Sequence, residues 1–258
     1  VLYSYYGGGW SFVLKSNTVY GTGLAHTQWA SAFSWLIEDN ELKELSGPGI
    51  YLNGATTYET PTGATDLDTS IVMVKNNTLT YSSTNNNENG IYLLSRNISS
   101  DESRRPVRLY SVIDNILTSS NRQAGRITVG GYSGETNETV QAFITNNEVH
   151  RPRSEAITAE NVKGGRISGN TIRLGHGSNG SWNSNSSPGS ISAYWSTIDI
   201  VGSVVDSAFA NGVTFYGSIG RIDSNTFTNN AFGLQLEGSF TNSILSQVRH
   251  NNITNNLY

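Results

Sequence analysis

Eight residues, Arg166-Ile-Ser-Gly-Asn-Thr-Ile-Arg173, carry a phrase that the chain rewrites along its length: apolar, two polar, Asn, one variable, apolar. Ile167, Asn170 and Ile172 hold the fixed places. The Asn slot recurs at Asn17, Asn40, Asn77, Asn115, Asn147, Asn170, Asn225 and Asn251, and a degenerate ninth copy, Ile200-Val-Gly-Ser-Val-Val205, puts Ser203 in that slot. Successive slots are 23, 37, 38, 32, 23, 33, 22 and 26 residues apart, so the unit is close to the shortest interval and the excess is inserted loop. A unit this short cannot bury its apolar side alone. It must stack on its neighbours, which is the logic of a solenoid.

A second phrase follows most Asn slots, a leading residue and then alternating apolar positions: Gly49-Ile-Tyr-Leu52, Gly90-Ile-Tyr-Leu93, Arg126-Ile-Thr-Val129, Ala156-Ile-Thr-Ala159, Gly212-Val-Thr-Phe215 and Gly233-Leu-Gln-Leu236. Alternation with a period of two in runs this short means strands with one buried face. Two or three such strands per unit, with Asn at a bend in each, predict an all-β chain. Its expected form is a single-stranded parallel β-helix of about nine turns with loop insertions. The repeat runs almost end to end, so residues 1–258 are read as one β-helix domain, a segment of a longer chain. The stretch from Gly21 to Ile37, dense in Leu24, Trp29, Phe33 and Trp35, is expected to complete the first turn with a short helix.

These phrases resemble the right-handed parallel β-helix of the pectate-lyase-like superfamily, in which Asn side chains stack as a ladder inside the coil. That group spans polysaccharide lyases, polygalacturonases, uronan epimerases and phage tailspikes. The resemblance covers nearly the whole chain and implies a right-handed coil, a polysaccharide or cell-surface glycan as partner, and an extracellular or virion location. Its tailspike members imply a homotrimer. Gly175-His-Gly177 is similar to the Gly-His-Gly of polygalacturonases, but their paired Asp residues and later Arg-Ile-Lys are missing here. No catalytic residue is therefore carried over.

Charge and composition narrow the partners. A formal net charge of −4 argues against nucleic acid, which would select a basic stripe. No apolar run approaches the roughly 18 residues of a membrane span. There is no cysteine, so the core and the backbone ladders must hold the fold. No metal-ligand spacing is evident, and no cofactor is implied.

Stacking supplies a way to find sites, because residues in one slot of adjacent turns lie above one another at about 4.8 Å. The slot three after the Asn reads Tyr20, Lys43, Thr80, Thr118, His150, Arg173, Asp206, Thr228 and Thr254. His150, Arg173 and Asp206 are thus consecutive, and Glu148 emerges on the same outer side as His150. A cation between an imidazole and a carboxylate keeps the carboxylate ionised and can grip an acidic sugar. Glu148 and Asp206, two rungs apart, are the expected carboxylate pair for hydrolysis. For β-elimination, Arg173 would neutralise a uronate while His150 removes a proton. Arg151, Arg153, His176 and Trp182 are the expected substrate contacts, with Trp182 a sugar-stacking platform in the insertion 175–188.

Two other groups complete the reading. Glu160, with Tyr194 and Tyr216 on the outer face of another strand, forms a second candidate site. The insertions at 54–70, 95–107 and 130–140 carry Glu59, Asp66, Asp68, Asp101, Glu102, Arg104, Arg105, Glu135 and Glu138, and leave consecutive turns at one corner. Against the degradative reading stands a non-catalytic one: a structural or adhesive β-helix whose charged column only braces neighbouring rungs through cross-strand pairs.

Overall fold

The computed structural model describes residues 2–5, 8–28, 31–53, 69–82, 89–95, 107–120, 124–131, 139–174, 189–208, 211–238 and 247–257. Three sheets of nine strands run the length of the molecule, and every strand pair is parallel. Each sheet takes every third strand of the chain, so each rung contributes one strand to each sheet and the coil advances by one rung per circuit. The first sheet contains Ile50–Asn53, Arg126–Gly131 and Ile157–Glu160, the second Val107–Ile113 and Thr139–Thr145, the third Glu148–His150 and Thr171–Arg173. This is a parallel β-helix with three strands per rung. The nine rungs match the nine slots read from the sequence.

Alternation puts one face of every strand inside. Ile127 and Val129, Ile157 and Ala159, Ile191 and Ala193, Val213 and Phe215 stack as two inward columns of the first sheet, all fully buried. The second sheet adds Val74, Val112, Ile144, Ile167 and Ile200, and the third adds Leu42, Leu79, Leu117, Val149, Ile172, Val205 and Phe227. These three sets meet in one continuous core. Among the described residues no helix interrupts the start of the chain: Ala25–Gln28 and Ser31–Glu38 are strands, which corrects the helix expected between Gly21 and Ile37. Alternating residues there have a paired strand on either side, and that overrides any local helical preference. Among the described residues no helix is long and apolar enough to cross a membrane.

The bend between second and third sheets is two residues long in every rung. Its first residue is left-handed each time, from His250 at φ 52° to Gly169 at φ 64°, and its second is the Asn slot. Asn147 shows what the amide does. Its Oδ1 accepts from both the backbone N–H and the Nδ2 of Asn115, each at 3.0 Å. Its own N–H and Nδ2 donate to Asn170 Oδ1 at 2.9 and 3.0 Å, and Nδ2 also reaches Val112 O at 2.9 Å. The same pattern links Asn17 to Asn40, Asn77 and Asn115, and Asn225 to Asn251. At Ser203 the ladder thins: Asn170 N–H reaches Ser203 Oγ only at 3.3 Å, while Ser203 N–H donates to Asn225 Oδ1 at 2.8 Å.

Asn147→Leu should therefore destabilise the protein by about 1–3 kcal/mol, since it strands the backbone N–H of Asn115 in a buried corner while Asn115 Nδ2 keeps Val74 O and Ile113 O. Ser203→Asn, which restores the amide in the slot that eight other rungs fill with Asn, should stabilise it by about 1 kcal/mol. Denaturant unfolding measures both; equal midpoints for Asn147→Leu and the parent protein would remove the ladder from the stability argument.

Candidate functional site

The column read from the sequence is present on the outer face of the third sheet. His150 pairs with Arg173 and Arg173 with Asp206, in the expected order. Two of its three side chains, those of His150 and Asp206, are engaged by neighbours. His150 Nε2 lies 3.3 Å from Glu148 Oε2 on its own strand. Asp206 accepts from Thr228 Oγ1 at 2.9 Å and Asn229 Nδ2 at 2.8 Å, one rung further on, and these bonds hold its carboxyl below the usual range. Arg151 donates to the Ser120 carbonyl one rung back. Glu148 is in register with Thr171 and, through it, Val204, so its backbone lies on a diagonal about 12 Å from that of Asp206. The bends along one side of this face are the two-residue corners, which leave no room for an enclosing loop. His176 and Trp182 lie outside the described residues, as do the charged residues of the three insertions.

The outer face of the first sheet is different. Tyr51, Tyr92, Thr128, Thr158, Ser192 and Thr214 form one outward column. Over its six rungs it spans about 24 Å. The next outward column reads Leu94, Gly130, Glu160, Tyr194, Tyr216 and Glu237. Small hydroxyl residues beside a row of large side chains make a trough along the coil axis. Thr128 and Thr158 lie at its floor, only 4% exposed although they face outward. Neither hydroxyl has a hydrogen-bonding partner in the protein.

Charged groups frame these two threonines. On one side Arg126 Nη1 holds Glu155 Oε2 at 2.9 Å, with both side chains largely buried. On the other stands Glu160, partly buried, with no hydrogen bond or ion pair among the described residues; burial raises its carboxyl above the usual range, and the Arg126 charge opposes that shift. Contrast three other acidic groups: Glu38 is gripped by Lys15 and Lys75, Asp199 by Arg221, Asp223 by His250. Gly130 is required beside Glu160 by a close backbone approach, since a Cβ there would lie 2.2 Å from the Glu160 carbonyl. The Tyr194 hydroxyl, bonded to Ser192, is pushed up chiefly by burial and feels Glu155, Arg126 and Glu160 together.

Aromatic rings lie at both ends. Tyr51 and Tyr92 stack at 4.6 Å with an interplanar angle of 6°. At the other end Tyr194, Trp195 and Tyr216 cluster, with Trp195 edge-on to Tyr216 at 5.5 Å. Trp195 is half exposed and left-handed, φ 47°, at a corner where adjacent rungs place Asn161 and Gly217. Its ring occupies the space a side chain at Gly217 would need, with Cδ1 at 2.9 Å from that Cβ position. A bulky residue in this conformation costs about 1–2 kcal/mol. Arg151 and Leu174 hold the same left-handed conformation at another corner, φ 57° and 55°.

The sequence reading named Glu160, Tyr194 and Tyr216, but gave no role to Arg126, Thr128, Glu155, Thr158 or Trp195. The signal for Trp195 was there: a Trp where the next rung has Gly. Among the described residues no cluster of His, Cys, Asp or Glu is arranged to hold a metal. No protein-family model, no curated protein and no solved structure matches the chain. The fold itself is compatible with carbohydrate-active and with adhesive proteins.

The environment of Glu160 makes a stability prediction. A carboxyl whose pKa is raised on folding favours the folded state while protonated, and that contribution is lost as pH rises from the unfolded pKa through the folded one. Glu160→Gln should thus raise the melting temperature at neutral pH and leave it unchanged near pH 3. Carboxyl carbon NMR should show Glu160 titrating above the other glutamates, and higher still in Arg126→Gln; a fall in that variant would contradict the assigned geometry.

Proposed function

We propose that the trough on the outer face of the first sheet binds a polysaccharide and that the groups around Thr158 cleave it. The observation that carries this reading is Glu160, partly buried and without a hydrogen bond or ion pair among the described residues, on a face with aromatic side chains at both ends. Aromatic faces at Tyr51–Tyr92 and at Trp195–Tyr216 suit the apolar faces of pyranose rings, and the distance between them accommodates several sugar units in an extended chain. Glu160 is a proton donor suited to a glycosidic oxygen, because burial keeps it protonated beyond the range of an ordinary carboxylate.

The chain's polar, loop-rich composition and the lack of cysteine fit a protein that works outside the cell or on a virion. The adhesive alternative uses the same trough without the chemistry. It draws support from the column on the third sheet, where Glu148, His150 and Asp206 are engaged with neighbours rather than poised for a reaction.

Trp195→Asn separates binding from folding. Asn tolerates the left-handed corner, so the melting temperature should hold or rise, whereas affinity for a bound oligosaccharide should fall by about tenfold, the worth of one aromatic contact of about 1.4 kcal/mol. Glycan arrays and calorimetry supply the readout. Full affinity in Trp195→Asn and in Tyr92→Ala would move the binding site off this face.

A further inference from the structure

Building on the trough as a saccharide site, we infer that its C-terminal end is a subsite for a protonated amino sugar, with Glu237 receiving the ammonium and Tyr216 and Trp195 supplying ring faces to it. Tyr216 and Glu237 are partners in register on the last two rungs of the first sheet. At the neighbouring corner the Trp195 N–H donates to the Tyr216 carbonyl at 2.9 Å and the Gly217 N–H to the Glu237 carbonyl at 2.8 Å, so the corner stacks beside that column. The Trp195 ring leans over Gly217 and meets Tyr216 edge-on at 5.5 Å. Both rings keep open surface, Trp195 at 51% and Tyr216 at 37% exposed.

The carboxylate beside those rings is set from within the sheet. Glu237 is partly buried. Asn211, fully enclosed, donates through Nδ2 to Gln235 Oε1 and to Thr214 Oγ1, the latter at 3.1 Å. With its carbonyl so occupied, the Gln235 amide turns its Nε2 to Glu237 Oε1. A neutral amide thus orients the Glu237 carboxylate without neutralising it. The stretches that border the last rungs of this sheet, 207–210, 229–231 and 238–246, contain no Lys or Arg. Arg96, Arg104, Arg105 and Arg122 belong to stretches that join the coil at the fourth and fifth rungs, about 19 Å or more from the last rung along the axis.

A protonated amine gains from both groups at once. Its charge is drawn to the negative face of an aromatic ring, and it pairs with the oriented carboxylate. A sugar hydroxyl can donate to the same carboxylate but gains nothing from the ring's quadrupole. An acetylated amine carries no charge and keeps only the stacking. Glu160 lies three rungs back in the same outward column, about 14 Å away at the backbone. The amino sugar therefore sits a few units along the chain from the bond that Glu160 would protonate, and the two carboxyls do not compete for one role. Gln235 acts through Glu237 and is a positioning residue.

The test uses the whole chain and two oligosaccharides of equal length, one of chitosan with free amines and one of chitin with every amine acetylated, compared by calorimetry at mildly acid pH. The chitosan oligosaccharide is expected to bind about tenfold more tightly, the combined worth of one ion pair and one cation–ring contact. That preference should shrink as salt is added, because charge carries it. Glu237→Gln should bring the two ligands to equal affinity, Glu237→Asp should keep part of the preference, and Gln235→Met, which removes the orienting donor, should reduce it; melting temperatures check that each variant is folded. Equal affinities in the parent protein would overturn the inference and leave the saccharide trough in place. A preference that survives Glu237→Gln would overturn the assignment to Glu237. Binding of neither oligosaccharide would also overturn the inference, and the glycan array then decides separately whether the trough holds a saccharide at all.

Discussion

The amide of the Asn slot is the interaction on which the rest depends. In most rungs one side-chain carbonyl receives both the backbone N–H and the side-chain Nδ2 of the Asn before it, so a single acceptor satisfies the corner N–H while Nδ2 also reaches backbone carbonyls. The residue just ahead of it sits in the left-handed region, and its N–H is taken by a carbonyl of the next rung, as in Asn146 to Ser168. A corner so constrained admits two residues and no more. Because it repeats nine times without change, it locks the register of the second and third sheets and places each rung directly over the last.

Where the chain can vary follows from where it cannot. Every long insertion in the sequence lies at one of the two corners that bound the first sheet, and none lies at the Asn corner. Toward the end of the chain the other corners acquire ladders of their own. Ser196 and Ser218 link successive rungs at one, Asn230 and Asn256 at the other. The last rungs become correspondingly short. The first sheet is therefore the face with variable chain at both its edges, and a floor with variable borders is the natural location for recognition, since binding residues can change there without disturbing the ladder.

The fold was legible because its determinants are local and repeated. Asn170 between Ile167 and Ile172 announces a bend, and eight further copies give the number of rungs, even where Ser203 replaces the amide. The order His150, Arg173, Asp206 was equally readable, since counting from a fixed corner gives register. What counting does not give is occupation. That Asp206 would be consumed by Thr228 and Asn229, or that Glu160 would have no partner, depends on side chains from other rungs and on how far each is buried. Glu148 shows the limit within one strand: two residues from His150, it falls in a different column, and the pairing with Asp206 inferred from rung number becomes a diagonal. Arg126 escaped notice because its role comes from Glu155, 29 positions away.

A β-helix is well suited to neutralising its own charges, since each side chain has a counterpart one rung up and one rung down. Lys15, Glu38 and Lys75 show the rule, with Glu38 held from both sides at 3.2 and 2.6 Å. Against that background Glu160 is informative. Its neighbours in register are Gly130, which offers no side chain, and Tyr194, whose hydroxyl turns back toward Ser192. Position 130 admits no side chain, because a Cβ there would meet the Glu160 carbonyl, whereas a Lys or Arg at position 194 would complete a cross-strand pair worth roughly 0.2–1 kcal/mol. The chain instead keeps the carboxyl unpaired and raises its pKa by burial, with Tyr194, Trp195 and Tyr216 clustered alongside. On a scaffold where neighbouring rungs so readily pair their charges, that exception is the physical reason to place the proposed site on this face.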